Sequence, residues 1–389
     1  MKIACITTSQ IPSRTANSIQ AMKVCDALKQ CGEDVKLWVP YFKNSSWSEL
    51  KDLYGLQEEF PVEWVQSHKS FKQYGFCWRT IQMAKSWGAE VVYTWALQSA
   101  VFAQSQNLPV VMEFHDFPMG TFGPKLFKRY VKHQAHSLTL STTRALAQGL
   151  EERYHFSFEE DSLQIAPNGT DPQRYENLPT PRQARKQLGL EEAITVGFTG
   201  HFYRGRGVDL LLEIASHLPH IHFLWVGGKE EHIQPWREEL KSRKLINVTL
   251  TGFIPNQQLP LYQAACDILV MPYGKKISGS SGGDISRVIN PMKMFDYLAS
   301  GRAIIASEIP IFHEVLSEET AVFCPPEDAS AWIEAIRKLA SDQNKRDKLA
   351  RKAKQLSQQY SWSSRAQKTL SIIKNREGYF DEKKHHQES

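Results

Sequence analysis

Lys293 and Asp296 stand three residues apart in the stretch "NPMKMFDYLASG" (290–301), and that spacing puts both on one face of a helix. The stretch predicts a helix of about ten residues, roughly 15 Å long. Asn290 is the expected N-cap, Pro291 suits the first helical position, and Gly301 is the expected stop. A lysine in the first turn opposes the helix dipole, so its placement asks for an anion nearby. Helix-start N–H groups at Met292 and Lys293 suit a diphosphate, and Asp296 suits the hydroxyls of a sugar or ribose. The plainer alternative is an exposed Lys293–Asp296 ion pair, worth about 0–1 kcal/mol.

A second helix start has the same character. In "VGFTGHFYRGRGVDLLLEIA" (196–215) a strand is expected to end at Thr199, a turn follows from Gly200, and a helix begins near Gly207. Such a turn points backbone N–H groups at a phosphate, and Arg204 and Arg206 add donors that can grip it bidentately. Against this stands an ordinary loop with its arginines in water, since neither a GxGxxG nor a P-loop pattern is present. His115 follows the strand run "PVVMEF" (109–114), a position from which it can hydrogen-bond a sugar or steady a leaving group. A structural histidine bonded to nearby backbone is the alternative. Asp116 beside it either orients the ring or caps a helix. No D-x-D pair occurs, the spacing that would hold Mg²⁺ or Mn²⁺ against a diphosphate, so cations and helix ends are expected to neutralise the leaving group without a metal. The adjacent His385 and His386 in the polar tail are not taken as a metal site.

These residues need a scaffold, and the chain supplies one twice. Apolar runs "KIACIT", "DVKLWVP", "EVVYTW", "PVVMEF", "SLTLST" and "LQIAPNG" alternate with helical periodicity, and a second series follows with "AITVGFTG", "IHFLWVGG", "VTLTGFI", "DILVMPY", "AIIAS" and "TAVFCP". That alternation predicts an α/β protein of two doubly wound Rossmann-like domains, with ligands at the carboxyl ends of the strands. The expected divisions are a first domain over 1–172, a linker region with a short helix over 173–192, a second domain over 193–360, a crossover helix over 361–375 and a polar tail over 376–389. A length of 389 residues with 41% hydrophobic and 11% aromatic content fits two folded cores. The net charge of +5 suits anionic small molecules or an acidic membrane surface, and no nucleic-acid recognition module is present. The N-terminus reads as a buried strand and not a signal peptide, no apolar run is long enough to span a membrane, and the six cysteines show no CxxC pairing. A cytoplasmic protein with reduced, mostly buried cysteines is the expectation.

In order along the chain, "FHD" (114–116), "APNGTD" (166–171), "TGHFYRGRGVDLL" (199–211), "TGFIP" (251–255), "PMKMFDYLASGRAIIAS" (291–307) and "YSW" (360–362) resemble the landmarks of the GT-B-fold retaining glycosyltransferases, the GT4-like family or glycosyl transferases group 1. The resemblance covers essentially the whole chain. It implies two Rossmann-like domains facing across a cleft, with the C-terminal helix crossing back to the first. It implies transfer of a sugar from a nucleoside-diphosphate sugar, without cofactor or metal, to an acceptor hydroxyl, with retained configuration. By position, Arg206 falls where the family holds the donor diphosphate, and Gly252, Phe253 and Ile254 fall in the loop framing the base. Asp296 falls at the second acid of the family's two-glutamate motif. The first acid's place is Val288, which has no hydrogen-bonding side chain, and Asp284 is the nearest acid to substitute. The chain thus resembles a branch with a degenerate motif. Ser13, Asn17 and Ser18 occupy the first βα loop, where relatives often have glycines near donor and acceptor.

On the acceptor side, Phe122, Leu126, Phe127, Tyr130 and Val131 mark one face of a helix over 121–136, with Lys125, Lys128, Arg129 and Lys132 on the other. A basic amphipathic helix can lie on an anionic membrane, which would suit a glycan or lipid-linked acceptor in cell-envelope polysaccharide synthesis and a site on the cytoplasmic membrane face. A core-facing helix with a solvated basic side is the equal alternative. Other functions remain open: a sugar-nucleotide epimerase on the same scaffold, which would want more carboxylates near the sugar; a sugar-nucleotide-binding protein without transferase activity; and a two-domain periplasmic sugar-binding protein, which an export signal would accompany.

Overall fold

The computed structural model of the protein describes residues 1–66, 72–159, 161–202, 205–278 and 283–387. It divides into two units, one of Met1–Asn168 with the segment from Trp362, the other of Gly169–Ser361. Among the described residues the first unit has a seven-stranded sheet of β1 (Lys2–Ile6), β2 (Asp34–Pro40), β3 (Val62–Val65), β4 (Val91–Thr94), β5 (Val110–Phe114), β6 (Ser137–Ser141) and β7 (Leu163–Ile165). Its order is β3-β2-β1-β4-β5-β6-β7, every pair parallel. The second has six: β8 (Thr195–Thr199), β9 (His222–Val226), β10 (Val248–Leu250), β11 (Ile268–Met271), β12 (Ala303–Ser307) and β13 (Val322–Cys324), in order β10-β9-β8-β11-β12-β13 and again parallel. Two doubly wound Rossmann-like units are therefore present, as the alternation of runs predicts.

The central strands are buried from end to end, β4, β5, β8, β9, β11 and β12 included. Helices cover both faces of such a sheet, so its strands read as continuous apolar runs and are easy to find. Strand β3 escapes that signal because it is short and only half-buried at the sheet edge. Residues 173–192 lie in the second unit, where the helix Pro181–Leu188 is capped by a Thr180–Gln183 box and stopped by Gly189. Arg185 on that helix donates to Asp267 at 2.9 Å, docking it on the sheet.

The C-terminal helix Trp362–Gln387 extends past residue 375 and belongs to the first unit. Leu370 and Ile373 are buried there, Ile372 half-buried, and Ser363 donates to Gln30 on the helix Ala16–Gln30 at 3.1 Å. Cys5, Cys25, Cys77, Cys266 and Cys324 are free and buried; Cys31 is free and half-buried. No helix among the described residues is long and apolar enough to cross a membrane.

Candidate active site

In the second sheet the strand order reverses between β8 and β11, and a ligand crevice is expected beyond their carboxyl ends. The predicted phosphate residues gather there. The helix Val208–His217 starts at Gly207, whose φ of 77° is left-handed, and the helix Met292–Ser300 starts at Pro291; neither start has a side-chain cap. Their leading N–H groups are thus not claimed by capping side chains. The second helix begins one residue later than expected: Pro291, not Asn290, is its N-cap, because Pro291 is still extended at ψ 126°. Gly301 ends it in the left-handed conformation, as predicted.

Lys293 turns inward and not toward Asp296. Its Nζ lies 3.9 Å from the Phe198 ring centroid and 5.5 Å from that of Tyr273, while the Arg206 guanidinium stands 5.0 Å from the same Tyr273 ring. Among the described residues the buried Nζ has no hydrogen-bond partner. Burial, and after it the Arg206 charge, pushes the ammonium well below its usual pKa. A surface ion pair is therefore not the explanation of Lys293. Gly200 belongs to the same contact: a Cβ there would meet Nζ at 2.7 Å, and its φ of 140° also favours glycine. His201 adds a third nitrogen-bearing side chain, its pKa lowered to about 4 by burial and then by Lys293 and Arg206. Sequence reasoning passed over His201 and also Tyr297, whose hydroxyl accepts from Thr199 N–H at 2.8 Å and pins this helix to the end of β8.

The remaining donor-side residues divide. Asp296 accepts from Thr170 of "APNGTD" at 2.9 Å, so two resembling motifs meet in one hydrogen bond. Gly252 adjoins the Gly200 turn through Gly227, whose N–H donates to Gly252 O at 2.8 Å; Phe253 and Ile254 after it are half-buried, as is Met292. Asp284 is exposed and accepts from the N–H groups of Ile277 and Ser286 at 3.1 and 3.0 Å, which lowers its pKa and commits one carboxylate oxygen to its own loop. Val288, at the place of the first acid, is buried at 2% exposure. Arg204 lies outside the described residues.

The first unit has its own cleft of about 480 Å³ at the carboxyl ends of β1, β4 and β5, lined by Asn17, Gln20, Trp95, His115, Asp116 and Phe122 among others. His115 is held by a residue the sequence did not flag. Its Nε2 lies 2.8 Å from Oε1 of Glu113, which stands two residues earlier inside β5 and is fully buried. Glu113 also accepts from Gln20 at 2.6 Å, from Arg365 at 2.6 Å and from the Tyr93 hydroxyl. Burial alone would raise its pKa, but the Arg365 charge and the His115 and Arg365 hydrogen bonds hold it at about 2. Asp116 does not orient the ring. It accepts from Phe117 N–H at 2.7 Å, and its pKa is raised by burial.

In the loop before the helix Ala16–Gln30, Ser13 and Ser18 serve the loop itself. Ser18 donates to backbone oxygens of Ser13 and Thr15, and Ser13 exchanges hydrogen bonds with the Tyr54 hydroxyl. Asn17 alone of the three lines the cleft. The basic helix spans Gly123–Val131, shorter than expected, with Phe127 and Tyr130 buried against Phe114 and with Lys125, Lys128 and Arg129 exposed. Phe122 departs from the predicted apolar face: it precedes the helix and is 60% exposed at the cleft rim, near Met119 at 61%.

Two Rossmann-like units with the C-terminal helix returned to the first define a GT-B-fold protein. Residues 193–342 match the family model described as glycosyl transferases group 1. Solved structures with the same fold include a sucrose-phosphate synthase from Thermosynechococcus elongatus (TM-score 0.73, 18% identity, 96% of this chain and 98% of that one). Another is HepE from Anabaena in complex with UDP-glucose (TM-score 0.73, 16% identity, 96% and 100%). A D-inositol 3-phosphate glycosyltransferase from Corynebacterium urealyticum is 25% identical over 207 residues, 49% of this chain and 46% of that relative. The first curated relatives are matched over between 35% and 56% of their own length.

Proposed function

We propose that the protein is a retaining glycosyltransferase that moves a sugar from a nucleoside-diphosphate sugar to an acceptor hydroxyl without a bound metal. The observation that carries this is the buried Lys293 amine, without a hydrogen-bond partner among the described residues, beside Arg206 at two uncapped helix starts. Such a site is costly without a ligand and apt for a diphosphate. As the bond from the anomeric carbon to the diphosphate breaks, charge grows on the leaving oxygens, and preorganised cations and N–H groups stabilise it. UDP-glucose in the HepE complex supports this class of donor. Retention of configuration follows from the family resemblance.

The test is calorimetry and thermal shift across nucleoside diphosphates and their sugars, with and without EDTA. Selective binding that survives EDTA and is weakened at least tenfold in Arg206→Ala is expected. A binding-only role is the competing reading, favoured by Val288 in place of an acid; steady turnover with an acceptor would exclude it.

We further propose a lipid-linked or envelope-polysaccharide acceptor met at an anionic membrane surface. Support comes from exposed Met119 and Phe122 at the rim of the His115 cleft, with Lys125, Lys128 and Arg129 exposed on the adjoining helix. Co-sedimentation with phosphatidylglycerol vesicles that falls with rising salt is expected; no sedimentation at low salt would remove the membrane part.

A further inference from the structure

We propose that Glu113, held by Arg365, is a positioning residue that fixes the tautomer of His115, placing the proton on Nε2 and leaving Nδ1 as the ring's acceptor toward substrate. The proposal rests on the reading of His115 as a site group, but its first test does not.

Arg365 has donors only. Its Nε donates to Pro167 O at 3.0 Å, its Nη1 to the Tyr93 hydroxyl at 3.1 Å and its Nη2 to Glu113 at 2.6 Å. Because the Tyr93 oxygen accepts from Arg365, its own proton goes to Glu113. The Gln20 amide nitrogen donates to Glu113 Oε1. Three separate donors thus converge on a carboxyl that is 1% exposed, and no proton of its own is needed to satisfy it. An ionised carboxylate only accepts. His115 Nε2, 2.8 Å from Oε1, must therefore bear the hydrogen, since two lone pairs would repel at that distance. Among the described residues no hydrogen bond from Nδ1 to the protein is present, and the side chain is 30% exposed at the cleft. A neutral Nδ1 can accept from a sugar or acceptor hydroxyl; it cannot donate.

Glu113 is 1% exposed and engaged by these donors. It acts through the imidazole, as a carboxylate does when it sets the tautomer of a catalytic histidine. Arg365 comes from the helix after "YSW", so the closing segment of the chain supplies the counter-charge for a residue at the end of β5.

The experiment is long-range ¹⁵N–¹H correlation NMR of histidine-labelled full-length protein, with the His115 signal assigned by its loss in His115→Gln. The Nε2–H tautomer is expected in the wild type. In Glu113→Gln, whose amide can accept or donate, a tautomer mixture is expected, with kcat down about 10²-fold and donor KM within about twofold. Glu113→Asp keeps the charge beside Arg365 but withdraws the acceptor by one methylene, and it carries the same expectation should the glutamine variant fold poorly. An Nδ1–H tautomer in the wild type overturns the proposal. So does an Nε2–H tautomer that persists in both variants, whatever happens to kcat. Absence of sugar transfer with every donor would instead count against the proposed activity and leave the wild-type tautomer measurement decisive for Glu113.

Discussion

Lys293→Met stabilises the free protein and removes most of its donor affinity. A buried ammonium without a hydrogen-bond partner among the described residues carries a desolvation cost of at least about 1–3 kcal/mol. Methionine has a similar reach, needs no partner, and its sulfur packs well against the Phe198 and Tyr273 rings now facing Nζ. The lost cation–π attraction offsets part of the gain. A rise in Tm of about 2–6 °C is expected for the second unit. Loss of one charge-assisted contact to a phosphate costs about 1.5–3 kcal/mol, a drop in affinity of roughly 10–150-fold.

The pH dependence has a defined sign. The folded state depresses this amine's pKa below the unfolded value of 10.5, so the unfolded chain binds more protons between the two. Wild-type stability therefore gains with rising pH across that window, and the methionine variant loses this contribution. Differential scanning calorimetry across alkaline pH, with calorimetric titration of a nucleoside diphosphate, reads both halves. A variant that is less stable and binds as tightly as the wild type would remove Lys293 from the donor site.

How such a site could be read from sequence differs residue by residue. The central strands were legible because they are buried runs of β-formers in a parallel sheet, and Gly301 was legible because a left-handed stop leaves a local signature. Lys293 was legible as an anomaly, a cation at the wrong end of a helix. Its burial was not, because that depends on Phe198 and Tyr273 arriving from two other strand ends. The start of the same helix was misplaced by one residue, since Asn290 and Pro291 both carry N-terminal preferences. Ser13 and Ser18 look like ligand-binding hydroxyls in sequence and are spent on their own loop, Ser13 on the hydroxyls of Thr15 and Ser18, and Ser18 on backbone oxygens.

Glu113 shows the limit most clearly. A glutamate inside "PVVMEF" breaks an apolar strand and invites the question of what satisfies it. The answer, Arg365, sits near the far end of the chain in a helix with no local mark of its partner. Only the return of that helix to the first unit brings the two together. Sequence can thus flag a buried acid as needing explanation, while its counter-ion is a property of topology.

That pairing also sets the largest stability effect expected of a single substitution. Arg365→Met leaves Glu113 buried without its guanidinium counter-charge, at a cost of about 3–5 kcal/mol to the first unit. Glu113→Gln combined with Arg365→Met removes both charges and should recover more than half of that loss, because replacing a whole buried pair costs far less than breaking it. Amide hydrogen exchange of β4 and β5 is the suitable measure, since two units need not unfold as one. The same pair predicts the acid limb. Glu113 is held at about 2 against 4.5 in the unfolded chain, so its contribution is present above pH 4.5 and is lost as pH falls toward 2. At about 1.4 kcal/mol per pH unit this is worth about 3 kcal/mol. The double variant should therefore show a flatter decline over that range than the wild type. Equal acid sensitivity in the two proteins, or an Arg365→Met variant as stable as the wild type, would show that the buried pair does not hold the first unit together.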